Sequence, residues 1–384
     1  MQNTISHSRR DFLKTSAMLS VALSVGSLPL FGADSKDSKI QMPTRILGKG
    51  SYAFSVSALA FGCMGLNYHC SKKLSKKESL KILESAIDYG ITLFDTAQVY
   101  GPNSNEILVG ELLKPYNKKL FITTKFGFGK DASVLDSSPK RIREVVEQSL
   151  KRLHLEQIPL LYQHRFDPKT PIEEVANCVK DLIKEGKVAR FGVCELSAKS
   201  IEEAHRICPI TAVQSEYHLM WRNPESEIFP TLERLKIGFV AYSPLNRGYL
   251  SGKLNKDSKF DKNNDNRATF PRFQPNAMEA NYQIINLLAE FGKGKNPHAK
   301  DSNATPAQVA ISYLLAKKPY IVPLFGTTNP AHLEENIQAL GIKWSKQELA
   351  SLDSKLDKIV IVGDRYPAEQ ANREGKEMKI KEKQ

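Results

Sequence analysis

From Thr44 onward the chain alternates two apolar patterns: short continuous runs, and longer stretches where apolar positions recur every three or four residues. The first suits a strand buried on both faces and the second a helix with one face on a core. Their alternation predicts a βα repeat around a parallel sheet. Two short segments come first, Arg45–Leu47 and Ala53–Val56, flanking Gly48 and Gly50, and they read as a hairpin under the base of the repeat. The predicted strands are then 57–62, 92–95, 120–125, 160–164, 188–193, 212–216, 239–242 and 321–323. Ser75 and Glu78 form a capping box for the first helix, which carries Leu80, Leu83 and Ile87 on one face and stops at Gly90. The second helix is expected over 105–113. Ser138 and Pro139 open the third, whose stripe is Ile142, Val145, Val146, Leu150 and Leu153. Thr170, Pro171 and Glu173 start the fourth, Ser197 the fifth, and 229–236 is the sixth. Thr305, Pro306 and Gln308 cap the seventh, and 332–339 is the eighth.

Strict alternation of eight strands with eight helices is the pattern of a (β/α)8 TIM barrel, here with an N-terminal β-hairpin cap and a C-terminal extension after Gly341. The expected limits are 44–366 for the barrel domain, 34–43 for a linker and 367–384 for a charged tail. A polar segment, 246–275, interrupts the order, and Asp257–Arg267 is so rich in Asp, Asn and Lys that a mobile excursion is expected. An extra helix comes next, over 276–291.

Composition changes this picture little. Of 384 residues 41% are hydrophobic and 25% charged, as in ordinary globular proteins. The net charge of +13 is dispersed along the chain, which predicts a solvated basic surface. Nothing resembles a nucleic-acid-binding motif, so no nucleic-acid partner is expected. The cysteines, Cys63, Cys70, Cys178, Cys194 and Cys208, are odd in number and lack a CxxC pattern, which argues against a disulfide framework or a metal site. Export to an oxidising compartment would make a Cys63–Cys70 bridge conceivable, whereas folding before export would keep most thiols reduced and buried.

The N-terminus departs from the rest. Arg9-Arg10 and Asp11-Phe12-Leu13-Lys14 precede an apolar run from Ala17 to Phe31 that Gly26 and Pro29 interrupt. That run falls short of the ~20 residues of a membrane-spanning helix. Residues 1–33 therefore read as a twin-arginine signal peptide, with the export machinery as partner, a periplasmic or otherwise exported destination and no permanent membrane span.

Four segments carry the chemistry: FDTAQVYG (94–101), TTKFG (123–127), LYQHR (161–165) and AVQSEY (212–217). Strand ends of such a barrel converge on one rim, so Asp95, Tyr100, Lys125 and His164 would meet there. A carbonyl that accepts a hydride needs a proton donor at its oxygen. Tyr100 would be that acid, Lys125 would lower its pKa, Asp95 would hold Lys125, and His164 would orient the substrate oxygen. Singly each has an ordinary alternative: a loop cap, a packing aromatic, a surface lysine, a structural histidine.

On these segments the chain resembles the aldo-keto reductase family, from about Thr44 to Lys358. The resemblance implies that the four are the family's catalytic tetrad and that the substrate is a small carbonyl compound. It implies a nicotinamide cofactor, NADPH with NADH as the alternative. Gln214 matches the carboxamide ligand, with Cys194 and Glu195 beside it at the end of strand five, where Cys194 departs from the family's serine. Tyr242 matches the stacking ring, and Ser243 to Leu245 the pyrophosphate contact. Gly326, Thr327, Thr328, Asn329 and His332 match the segment for the adenosine phosphate, although Asn329 replaces its usual lysine; Glu335 and Asn336 match the adenine contacts. Cys194 reads as either a tolerated small residue or a redox-sensitive thiol. Met64, Tyr68, Trp221 and Arg222 are expected substrate-pocket liners; Tyr68 and Trp221 could instead pack within their loops, and Arg222 could merely pair with Glu225. The reading is an exported, monomeric, NADP-dependent oxidoreductase that reduces aldehydes or ketones to alcohols. The rivals are a cofactor-binding sensor or auxiliary subunit, and an NAD-linked alcohol or sugar dehydrogenase.

Overall fold

The computed structural model describes residues 40–69 and 73–368. The twin-arginine segment, Cys70 and the tail beyond Ala368 lie outside the described residues.

Strands β1 (Thr44–Leu47) and β2 (Phe54–Ser57) form the antiparallel hairpin. Eight parallel strands close a barrel: β3 (Ala60–Gly62), β4 (Leu93–Asp95), β5 (Phe121–Phe126), β6 (Leu161–Gln163), β7 (Phe191–Cys194), β8 (Ile210–Glu216), β9 (Gly238–Tyr242) and β10 (Ile321–Phe325). Neighbours follow chain order and β10 closes on β3, as a repeated βα unit requires. The helices are α1 (Lys76–Asp88), α2 (Ser104–Leu113), α3 (Pro139–Leu153), α4 (Ile172–Lys184), α5 (Ala198–Ile207), α6 (Pro224–Glu227), α7 (Phe229–Leu235), α8 (Pro275–Gly292), α9 (Pro306–Lys317), α10 (Pro330–Gln338) and α11 (Lys346–Leu356).

Local signals explain most boundaries. Capping boxes hold the starts of α1 (Ser75 with Glu78) and α9 (Thr305 with Gln308), and Ser138 accepts from the Arg141 amide at the start of α3. Thr170 does not cap α4; its hydroxyl turns to Asp167, 3.1 Å away, and Pro171 occupies the cap position. The first predicted strand divides in two, because Ser57 ends the hairpin. There Ser57 and Thr92 exchange two backbone-to-hydroxyl bonds of 2.9 Å, and β3 starts only at Ala60.

The hairpin closes the barrel floor. Leu47, Phe54 and Val56 are buried against Leu93, Leu160, Ala212 and Val240 inside the barrel. Gly238 begins β9 at that point, and a Cβ there would lie 2.4 Å from Leu47 Cδ2, so only glycine admits the plug. The larger core lies between the strands and the helices, where the α3 stripe packs against α4 residues such as Val175 and Val179.

The polar insertion differs from its expectation. Within Asp257–Arg267, Asp265 is buried and paired with Arg267, whose guanidinium lies 4.7 Å from the Phe260 ring centroid. This pair ties the end of the segment to the barrel, where Asn266 and Arg267 line the cavity described below, while Asp257, Lys259, Asp261 and Lys262 remain exposed. After α11, the chain returns over the rim through Arg365 and Tyr366, both buried. Among the described residues no helix is long and apolar enough to cross a membrane.

Candidate active site

The register of the sheet sets the site. Gly62 pairs with Asp95, Asp95 with Thr123, and Lys125 with Tyr162, so Asp95 and Lys125 face the same end of adjacent strands. His164 is the first residue beyond β6, and its amide donates to Phe126 O at 2.7 Å. Tyr100 sits in the β4–α2 turn, where Gly101 (φ +70°) and Asn103 (φ +65°) take left-handed backbone that folds the turn back over the rim.

The four predicted residues meet. The Lys125 ammonium, 1% exposed, pairs with the Asp95 carboxylate, donates to Thr96 O at 2.8 Å and reaches the Tyr100 hydroxyl at 3.5 Å. The second Asp95 oxygen accepts from Thr123 Oγ1 (2.8 Å) and Gln214 Nε2 (3.1 Å). The His164 ring meets Tyr100 and Phe128 edge-on, at centroid separations of 5.7 and 5.2 Å.

Burial pushes the Lys125 pKa down, but Asp95 together with Tyr100 and Cys194 more than reverses this, and the net direction is up, so the ammonium keeps its charge. Tyr100 corrects the sequence expectation. Lys125 does pull its pKa down, yet burial outweighs that pull and the phenol lies above its usual value. In this site Lys125 limits a rise rather than producing a fall.

A cavity of about 800 Å³ opens beside these groups. Asp95, Tyr100 and His164 line its inner end, and Met64 and Tyr68 from the loop after β3 also line it. Gln214, Tyr242, Ser243 and Leu245 form one wall; Gly326, Thr327, Thr328, His332, Glu335 and Asn336 form the far end. Ser243, Asn246 and Arg247 take left-handed backbone (φ +52°, +44° and +53°), which bends the loop after β9 around the cavity. Lys253, Arg165, Arg247 and Arg267 are the Lys and Arg residues that line the cavity, and Asn329 is not among its liners. Asn329 spends its side chain capping α10, accepting from the Ala331 amide at 2.9 Å. Burial and then Lys253 lower the His332 pKa, so its imidazole is neutral near pH 7. Lys253 crosses to Glu335 at 2.7 Å and is the ammonium lining this end.

Three expectations change. Cys194, expected beside the carboxamide, is not among the residues lining the cavity; it is buried, and burial first pushes its thiol up to about 12, which favours the tolerated small residue over the redox-sensitive thiol. Glu195 (φ +56°) does not line the cavity but is bound by the Arg365 guanidinium at 2.9 and 2.7 Å. Trp221 and Arg222 lie outside the cavity. The Trp221 ring has Arg272 and Arg365 guanidinium carbons 5.3 and 4.9 Å from its centroid. Arg222 bonds Glu225 (2.9 Å) and Asp357 (2.8 Å), tying α6 to the end of α11.

Sequence reasoning also missed residues. Arg165 comes directly after His164 and lines the cavity, its guanidinium donating to His164 O at 2.8 Å; its place in LYQHR was the available signal. Arg365 and Tyr366 lie beyond the last periodic element, where no pattern marks them. Among the described residues no cluster of three or more His, Cys, Asp or Glu could hold a metal ion.

The donor set suits a dinucleotide: a carboxamide and an aromatic ring near the inner end, hydroxyls and the start of α10 at the other. Comparisons agree. Residues 58–357 match the model of the aldo/keto reductase family. The chain is 40% identical over 321 residues to probable aldo-keto reductase 1 of Glycine max, covering 83% of this chain and 90% of that one. A glycerol dehydrogenase from Gluconobacter oxydans superposes with a TM-score of 0.72 at 28% identity, covering 85% of this chain and 98% of that one. A holo-form aldo-keto reductase from Bacillus halodurans shares the fold (TM-score 0.66, 24% identity, 84% and 98% covered).

Proposed function

Because the chain belongs to the aldo/keto reductase family and is an oxidoreductase, we propose that it reduces aldehyde or ketone carbonyls to alcohols with Tyr100 as the proton donor. The observation that carries this reading is the buried Asp95–Lys125 pair, with its ammonium 3.5 Å from a tyrosine hydroxyl on the cavity wall. A neutral phenol beside a fixed ammonium can donate its proton, and the phenolate left behind is stabilised by that ammonium. A reduced nicotinamide, when bound, supplies the hydride to the carbonyl carbon. Tyr100 protonates the carbonyl oxygen as charge develops there. His164, edge-on to Tyr100, orients that oxygen; Gln214, fixed by Asp95, presents the rest of its amide to the cofactor, and Tyr242 offers the ring face for stacking. The test is oxidation of reduced cofactor by the purified protein against a panel of carbonyls. Absence of turnover with intact cofactor binding would favour the sensor reading instead.

NADPH is the proposed cofactor, with Lys253, now paired with Glu335, and the hydroxyls of Thr327 and Thr328 lining the end proposed for its far phosphate. Asn329→Lys is expected to raise the preference for NADPH over NADH roughly tenfold, the worth of one charge-assisted hydrogen bond to phosphate. Fluorescence titration with both cofactors measures it, and an unchanged ratio would put the phosphate elsewhere.

Export is proposed from Arg9 and Arg10 ahead of the short apolar run. Changing both to Lys is expected to leave the protein in the cytoplasmic fraction, as fractionation and immunoblotting would show. Continued export would exclude the twin-arginine route.

A further inference from the structure

Three neighbouring strand ends carry polar groups that proton delivery does not use. Glu195 comes just after β7, Glu216 ends β8 and Tyr242 ends β9. Glu195 and Glu216 are both almost fully buried, a costly place for two carboxylates unless a cation joins them. The cation is Arg365, from the segment that returns over the rim. Its side chain is 3% exposed, it binds both Glu195 oxygens, its Nε donates to Glu216, and it donates to the Tyr242 hydroxyl at 2.8 Å. Only a planar guanidinium presents enough donors in a fixed fork to serve three acceptors at once. Tyr366 adds a hydroxyl 3.3 Å from that of Tyr242.

The cluster is held from outside as well. Asn281 on α8 exchanges two 2.9 Å bonds with the Val362 backbone, and Arg272 donates to Gly363 O at 3.2 Å. Gly363 has φ +90°, and a Cβ there would lie 2.9 Å from Arg272 N and from Pro271 backbone, so the segment is seated closely. On the inner side, His218 Nδ1 accepts from the Met220 amide at 3.2 Å. Its Nε2 therefore carries the proton and meets Glu216 at 2.8 Å.

We infer that Arg365 is a positioning residue for the nicotinamide end of the cavity: by joining Glu195, Glu216 and the Tyr242 hydroxyl, it fixes the plane of the Tyr242 ring. The inference rests on the reading of Tyr242 as the stacking ring. The ring lines the cavity while its hydroxyl edge is held from behind, so its tilt is set by the C-terminal segment rather than by the cavity alone. A small error in ring plane misaligns hydride transfer but leaves the adenosine end untouched.

The test separates the two ends of the cofactor. Arg365→Lys keeps one positive charge but cannot reach all three acceptors. Arg365→Met combined with Glu195→Gln and Glu216→Gln removes the charges of the three joined side chains, so no carboxylate of the cluster is left unpaired and folding is expected to be preserved. Each full-length variant is titrated with intact reduced cofactor and with the adenosine fragments 2′,5′-ADP and ADP-ribose. Hydride transfer is followed in single turnovers, and thermal melting is run alongside. The expected result is unchanged fragment affinity, about tenfold weaker binding of intact cofactor and about 10²-fold slower hydride transfer at saturation. Fragment and intact affinities that fall together, or hydride transfer at the parent rate, would overturn the inference and leave the oxidoreductase reading intact. A parent protein that binds no nicotinamide cofactor would overturn the functional reading, and the inference with it.

Discussion

Tyr100→Phe is expected to lower the rate of carbonyl reduction by about 10²–10⁴-fold, the usual worth of a positioned general acid. The substitution removes one oxygen. Its ring keeps the contacts with Tyr68 and His164, at centroid separations of 6.0 and 5.7 Å, so cofactor affinity and thermal stability should hardly move. Stopped-flow turnover at saturating cofactor, beside a fluorescence titration, separates the two effects. Unchanged turnover would remove Tyr100 from the role of acid. The sign of the Tyr100 shift adds a second measurement. Burial raises the phenol above its usual value near 10. The protonated, donating form therefore persists through neutral and mildly alkaline pH, and kcat/KM for reduction should be flat from about pH 6 to 9 before it falls.

Lys125→Met is expected to cost about 3–5 kcal/mol of stability and most of the turnover, because it strands the Asp95 carboxylate in a nearly water-free position. Asp95 would retain its bonds from Thr123 and Gln214 but lose the ammonium that balances its charge. Adding Asp95→Asn should recover most of the stability, since a buried pair replaced on both sides leaves no unbalanced charge. It should recover no turnover, because the phenolate formed at Tyr100 would still lack its ammonium. Chemical denaturation and steady-state kinetics on the single and double variants form a cycle that distinguishes the two contributions. A double variant as unstable as Lys125→Met alone would mean that the pair is not what holds this part of the rim.

The barrel and the meeting of four polar residues at its rim were legible in the sequence because both arise from short-range signals. Capping boxes and apolar periodicity are local, and a strand order equal to chain order brings Asp95, Lys125 and His164 together without further information. What escaped the sequence depends on contacts across long separations. Arg365 meets Glu195 over 170 positions, and Arg222 meets Asp357 over 135, and neither has a repeat to announce it. The same blindness hid the anchored end of Asp257–Arg267, since polar composition does not reveal that Asp265 and Arg267 neutralise each other in place. The net effect on Tyr100 was hidden for another reason: an adjacent charge can be guessed from residue types, whereas depth of burial cannot.

The plugged floor has a consequence for how this molecule can be remodelled. With Leu47, Phe54 and Val56 sealing one end, the rim is the doorway, and reactants and products share it. Loops at the threshold then govern traffic, while the strands beneath govern chemistry. Shortening or exchanging the turn that bears Met64 and Tyr68, or the wall running from Asn246 to Phe270, can therefore change which molecules are admitted and how long they stay. The Asp95–Lys125 pair and the residues it meets in the barrel would keep their own scaffold throughout.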